Sequence, residues 1–104
     1  MSEQRRCFRL AAQEQITRHH WILVHGVVET KHYRIPHAWL EDAAGGIVWD
    51  VEAETVMVKE LYYSMGKVSV ITRYKIDGTL EMMRDSDHFG PWHSAYTAYD
   101  DSLK

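Results

Sequence analysis

The 104-residue chain lacks a second cysteine, so its single thiol, Cys7, has no intramolecular disulfide to form. None is needed at this length, because a chain of this size buries roughly 60 to 65% of the surface its unfolded form exposes. Long apolar runs are missing too. Stretches such as "WILV" at 21–24 fall far below the ~20 residues a bilayer-spanning helix needs, which removes a membrane partner from the expectations. No basic run accompanies the net charge of -3, so nothing marks a phosphate-backbone footprint and nucleic acid is not an expected partner. The start, "MSEQRRCFRL", is polar and charged where a signal peptide would be apolar, and a cytoplasmic location is expected. Without repeats, low-complexity tracts or a Pro/Gly/Ser linker, residues 1–104 read as one domain. A glycine-rich phosphate loop, a GxSxG elbow and a dinucleotide fingerprint are all absent. The histidines show no HExxH or Cys/His ligand spacing; His19 and His25 share a strand face but stand roughly 20 Å apart. No metal and no cofactor is expected.

What is present is an ordinary globular balance, 45% apolar and 26% charged, with four Trp and six Tyr to enlarge a small core. "SEQRRCFRLAAQEQI" predicts a first helix capped by Ser2, with Cys7, Leu10 and Ala11 at helical spacing and Phe8 and Ala12 widening the stripe. "HHWILVHGVVE", 19–29, predicts a buried strand. Pro36 cannot donate to a ladder, so the next strand, "HAWLED", is expected to begin at or just after it. The glycines of "AAGG" turn the chain and "IVWDVEAE" returns as the antiparallel partner. A short helix follows over about 58–65 with Gly66 as its C′ residue. "KVSVITRYKI" then alternates as a strand with Val68, Val70, Thr72, Tyr74 and Ile76 on one side, broken by Ile71. Asp77 is placed to cap a last helix with Leu80 and Met83 inward, closed by Gly90 and Pro91. The fold class is therefore α+β, an N-terminal helix packed on an antiparallel sheet.

Chemistry gathers at three residues. Cys7 lies near a helix start with Arg5, Arg6 and Arg9 close by, a setting that favours thiolate; equally, cysteine serves as a small buried hydrophobe and the arginines as a solvated face. His37 opens a strand and Asp50 ends the next one over, so hairpin pairing brings carboxylate and imidazole together. That pair alone could also be a hydrogen bond pinning the hairpin. A thiol, an imidazole to move its proton and a carboxylate to orient the imidazole make up the set a cysteine nucleophile requires.

The order of a helix-borne cysteine, a strand ending in "VHG", then "HAWLE", a glycine turn and "VWD" resembles the transglutaminase-like branch of the papain-like cysteine peptidase superfamily, over residues 7–50. The resemblance implies a papain-like, transglutaminase-core arrangement and a catalytic triad of Cys7, His37 and Asp50. It departs from the family before the cysteine, where Arg6 stands in place of the usual small residue; Phe8, which follows, is an aromatic. The implied activity is hydrolysis or acyl transfer at an amide through a thioester, on a peptide or amide substrate. It also implies an oxyanion donor upstream of the cysteine, for which Gln4 is the candidate side chain. A non-catalytic relative that binds a protein or peptide partner is the second reading, and an aromatic-faced homo-oligomeric scaffold a third; the sequence leaves the oligomeric state open.

Overall fold

The computed structural model describes residues 6–98. In chain order these form α1 (Arg6–Thr17), β1 (Trp21–Glu29), β2 (Arg34–Asp42), β3 (Ile47–Asp50), β4 (Thr55–Val58), α2 (Lys59–Gly66), β5 (Val68–Tyr74), α3 (Ile76–Ser86) and a closing 3-10 turn at Ser94–Ala98. The strands make one antiparallel sheet in the order β4-β3-β2-β1-β5. This is the expected α+β layout. No helix among the described residues is long and apolar enough to cross a membrane.

The sheet buries both faces because its central strands alternate apolar groups in both directions. Leu23, Val27, Ala38 and Leu40 meet Cys7, Phe8, Ala11 and Ala12 of α1 on one face, joined by Tyr96 and, from α3, Met83. Val24, Trp39 and Val48 meet Tyr62 of α2 on the other. α1 is made of good helix formers, and its two small alanines let its backbone approach the sheet while Phe8 fills the space beside them. Burying a side chain the size of Phe8 contributes about 1.5 to 3 kcal/mol. Gln15, fully buried, ties the layers together: its amide donates to the carbonyls of Trp21 (3.1 Å) and Tyr74 (2.9 Å) and its oxygen accepts from Thr79 (2.5 Å). A satisfied buried amide of this kind fixes one arrangement of α1, β1, β5 and α3. At Gly26 a side chain is excluded, since a Cβ there would lie 2.3 Å from the Ser69 carbonyl oxygen and 2.5 Å from the Trp39 ring. The Tyr96 hydroxyl closes the fold by donating to the Gly26 carbonyl (2.7 Å).

Several expectations are corrected. β2 begins at Arg34 and runs through Pro36. The proline is tolerated because β3 pairs with β2 only at Leu40↔Trp49 and Glu41↔Val48 among the described residues, so Pro36 has no β3 ladder beside it. "IVWDVEAE" is two strands rather than one. The Asp50 carboxylate accepts the Ala53 N–H (3.1 Å), Glu54 takes a left-handed φ of 55°, and the chain reverses into β4. α2 runs one residue further than expected: Gly66 is its last residue, and Lys67 takes the left-handed cap at φ 46°.

In β5, the break seen at Ile71 is a bulge. His25 pairs with Thr72 but Gly26 with Val70, so Ile71 is an extra residue and the alternation changes face there. Val68 and Val70 therefore pack toward α2, while Ile71 and Tyr74 pack toward α1. α3 starts at Ile76, ahead of the expected Asp77 cap, which turns Thr79 inward and leaves Leu80 44% exposed. The expected cap Ser2, together with Gln4 and Arg5, lies outside the described residues.

Candidate functional site

Three elements carry the expected residues to one corner of the sheet. Cys7 is in the first turn of α1 and is 3% exposed. His37 lies in the part of β2 that β3 leaves unpaired, so its ring meets side chains rather than another strand. Asp50 is the last residue of β3 and, continuing the register, stands opposite Trp39; its carboxylate reaches diagonally to the His37 ring, a span open to long cross-strand side chains. His37 Nε2 and Asp50 Oδ2 are 2.7 Å apart, with side chains 14% and 6% exposed. The Cys7 sulfur, a ring nitrogen of His37 and a carboxylate oxygen of Glu52 all lie within 4.8 Å of one another. The structure thus brings Cys7, His37 and Asp50 together. Gln4 lies outside the described residues. Arg6 is exposed and Arg9 half-buried.

The carboxylate at the centre is fully engaged. Asp50 accepts from His37, from the Tyr62 hydroxyl (2.7 Å) and from the Ala53 N–H (3.1 Å). Burial alone would raise its pKa, but the imidazole, the phenol and the backbone donor outweigh that and hold it below the usual carboxylate value. The His37 ring feels the reverse. Burial disfavours its charged form, yet the hydrogen bonds to Asp50 and to the Cys7 sulfur, with their charges, prevail and push it up to about 10. With Asp50 ionised, His37 Nε2 donates to it, which leaves Nδ1 as the nitrogen with a proton to trade elsewhere. Burial first, and the Asp50 carboxylate second, push the Tyr62 phenol up, so Tyr62 is a donor. The Trp39 ring stacks on the imidazole, centroids 6.0 Å apart at 28°, and fixes its plane.

A cavity of about 440 Å³ opens beside this corner. Val28, Ile35, Met57, Met65 and Val68 give it apolar walls, His37 and Asp50 its polar end, and Cys7 lies outside its lining. Of the three, His37 and Asp50 are thus the residues that face the cavity.

A second charged group sits on the same face, further along β2. Glu41 accepts from the Tyr63 hydroxyl and from Arg73 Nε (3.0 Å), with Lys59 at 3.8 Å. Against the effect of burial, Tyr63 and Arg73 keep it below the usual carboxylate value. Every strong partner is internal, so this group joins α2 to β2 and β5.

Reasoning from the sequence missed Tyr62, Glu52, the Ala53 N–H and the cavity. Tyr62 has a signal, since it shares a helical face with Val58, Leu61 and Met65, but nothing in the pattern aims its hydroxyl at Asp50. Glu52 was hidden by reading 47–54 as one strand. No family model, curated protein or solved structure matches the chain.

Proposed function

We propose that the protein is a cysteine-nucleophile amide hydrolase or acyltransferase of transglutaminase-like, papain-like type. The observation that carries this reading is the meeting of the Cys7 sulfur, the His37 ring and the Asp50 carboxylate from three separate elements. In the proposed reaction the Cys7 sulfur attacks the carbonyl carbon of an amide and the carbonyl electrons move to oxygen. Protonated His37 gives its Nδ1 proton to the departing nitrogen as the C–N bond breaks, leaving a thioester and a free amine. Water or a second amine then attacks the thioester with neutral His37 taking its proton, and the sulfur is released. Asp50, braced by Tyr62 and Ala53, holds the Nε2 proton in place throughout. Backbone N–H groups in the first turn of α1 have no carbonyl four residues back within the helix and are suited to receive the oxyanion.

The cavity supports one feature of the substrate. A leaving nitrogen protonated by His37 must lie on the imidazole side, and the apolar walls lie on that side as well. The group lost from the acyl carbon, or the amine that accepts it, is accordingly apolar and of side-chain size.

The second reading, a non-catalytic module that binds a peptide or protein, is favoured by one observation, the burial of Cys7 at 3% exposure. Alkylation separates the two. Iodoacetamide should modify Cys7 of the folded chain at neutral pH, slowed at least tenfold in His37→Ala, and an amide substrate should leave a hydroxylamine-sensitive acyl group on Cys7 detectable by mass. A thiol that reacts only on unfolding, at a rate indifferent to His37, would overturn the enzymatic reading.

A further inference from the structure

Beyond acyl transfer, and independent of it, we propose that Cys7, His37 and Glu52 form a binding site for a divalent cation of the zinc class. The three offer one thiolate, one imidazole and one carboxylate, the donors such an ion accepts. They come from α1, β2 and the turn after β3, so residues remote in sequence converge on one point. Their ligand atoms lie within 4.8 Å of one another. With ligand bonds of ~2.0–2.3 Å, two ligand atoms on one tetrahedral ion sit about 3.5 Å apart. The set must therefore contract slightly, and Glu52, exposed on its turn, is the member able to move.

A second observation points the same way. A metal-bound imidazole characteristically gives its other N–H to a carboxylate, which fixes the ring and strengthens it as a ligand. Here Asp50 receives the Nε2 proton of His37 at 2.7 Å and is itself anchored by Tyr62. Nδ1 is thereby presented as the ligand atom, and three protein ligands leave a fourth position for water or a small anion. On binding, the ion displaces the Nδ1 proton of His37 to solvent and occupies the sulfur and the Nδ1 lone pair, the two atoms that acyl transfer requires. Metal-loaded protein is thus chemically silent toward amides and its thiol is shielded from alkylation.

Cobalt(II) is the probe. Titrated into the purified full chain, it should bind with one equivalent, produce a sulfur-to-cobalt charge-transfer band in the near ultraviolet, and be displaced by zinc. Cys7→Ser should abolish the band. Glu52→Gln, a change at an exposed turn that leaves the core alone, should weaken cobalt binding at least fivefold while circular dichroism is unchanged. Absence of the band from the wild-type chain, or binding that Glu52→Gln weakens less than fivefold, would overturn the site. Neither result depends on catalysis. The enzymatic reading stands or falls on the alkylation and acyl-trapping of metal-free protein.

Discussion

His25 and His37 sit almost side by side, since Gly26 pairs with His37 across the β1–β2 ladder and His25 with Ala38, yet they occupy opposite faces and opposite electrostatic worlds. His37 meets a carboxylate and a sulfur. His25 is walled by the rings of Phe8, Tyr74, Trp92 and Tyr96, centroids 4.7 to 6.3 Å away, and neither ring nitrogen has a hydrogen-bond partner among the described residues. Burial pushes it down to about 3. The same side chain is thus a retained cation on one face and a neutral aromatic filler on the other. What decides between them is the identity of the neighbours: both rings are largely buried, and only one was given an anion.

The comparison is broken most strongly at His37. On the proposed reading, His37→Ala lowers acyl transfer by about 10² to 10⁴-fold, the contribution of a positioned proton donor and acceptor, whereas His25→Phe leaves it within twofold. Steady-state assays on a peptide amide check both. Next comes the anion itself: Asp50→Ala strands the imidazole and the Tyr62 hydroxyl, costing about 3 kcal/mol in urea unfolding.

The third effect is seen in pH, and the two rings work with opposite signs. A histidine raised from 6.5 to about 10 supports the fold fully below 6.5 and loses that support as pH rises through 10. One lowered from 6.5 to about 3 supports the fold above 6.5 and loses that support as pH falls toward 3. Stability should therefore crest near 6.5. His25→Phe should flatten the acid limb, whose slope reaches about 1.4 kcal/mol per pH unit, and His37→Ala the alkaline one. Urea midpoints measured from pH 4 to 10 test this. The smallest effect belongs to Tyr62→Phe, which removes one of three donors to Asp50 and should cost about 1 kcal/mol, with a modest loss of rate.

Reading the chain from its residues reached the helix-on-sheet layout and the approach of His37 and Asp50, because both depend on local signals, whereas the joining of Cys7 to that pair was implied by the family resemblance. Those signals are an apolar stripe at helical spacing, two glycines at a turn and a hairpin that pairs what flanks it. It failed where tertiary contacts decide. "VEAE" alternates like a strand, and only the capture of the Ala53 N–H by Asp50 makes it a turn. Ile71 reads as a flaw in an alternating pattern, yet it is the residue at which β5 changes face. Leu80 was expected inward because a leucine usually is; Gln15 instead claims Thr79, one position earlier. His25 reads in the sequence as sharing a strand face with His19, and no periodicity announces that four aromatic rings from α1, β5 and residues 92–96 will enclose it.

The hydrogen bond from Tyr96 to Gly26, and the packing of Tyr96 against Phe8, have a bearing on how the protein comes into being. Synthesis delivers α1 well before Tyr96, so at ~5–20 residues per second the nascent chain spends seconds with Phe8 and its neighbouring thiol unsealed. A ribosome that stalls before Tyr96 would hold a chain whose α1 is unclamped and whose hydrophobic flank is open to chaperones.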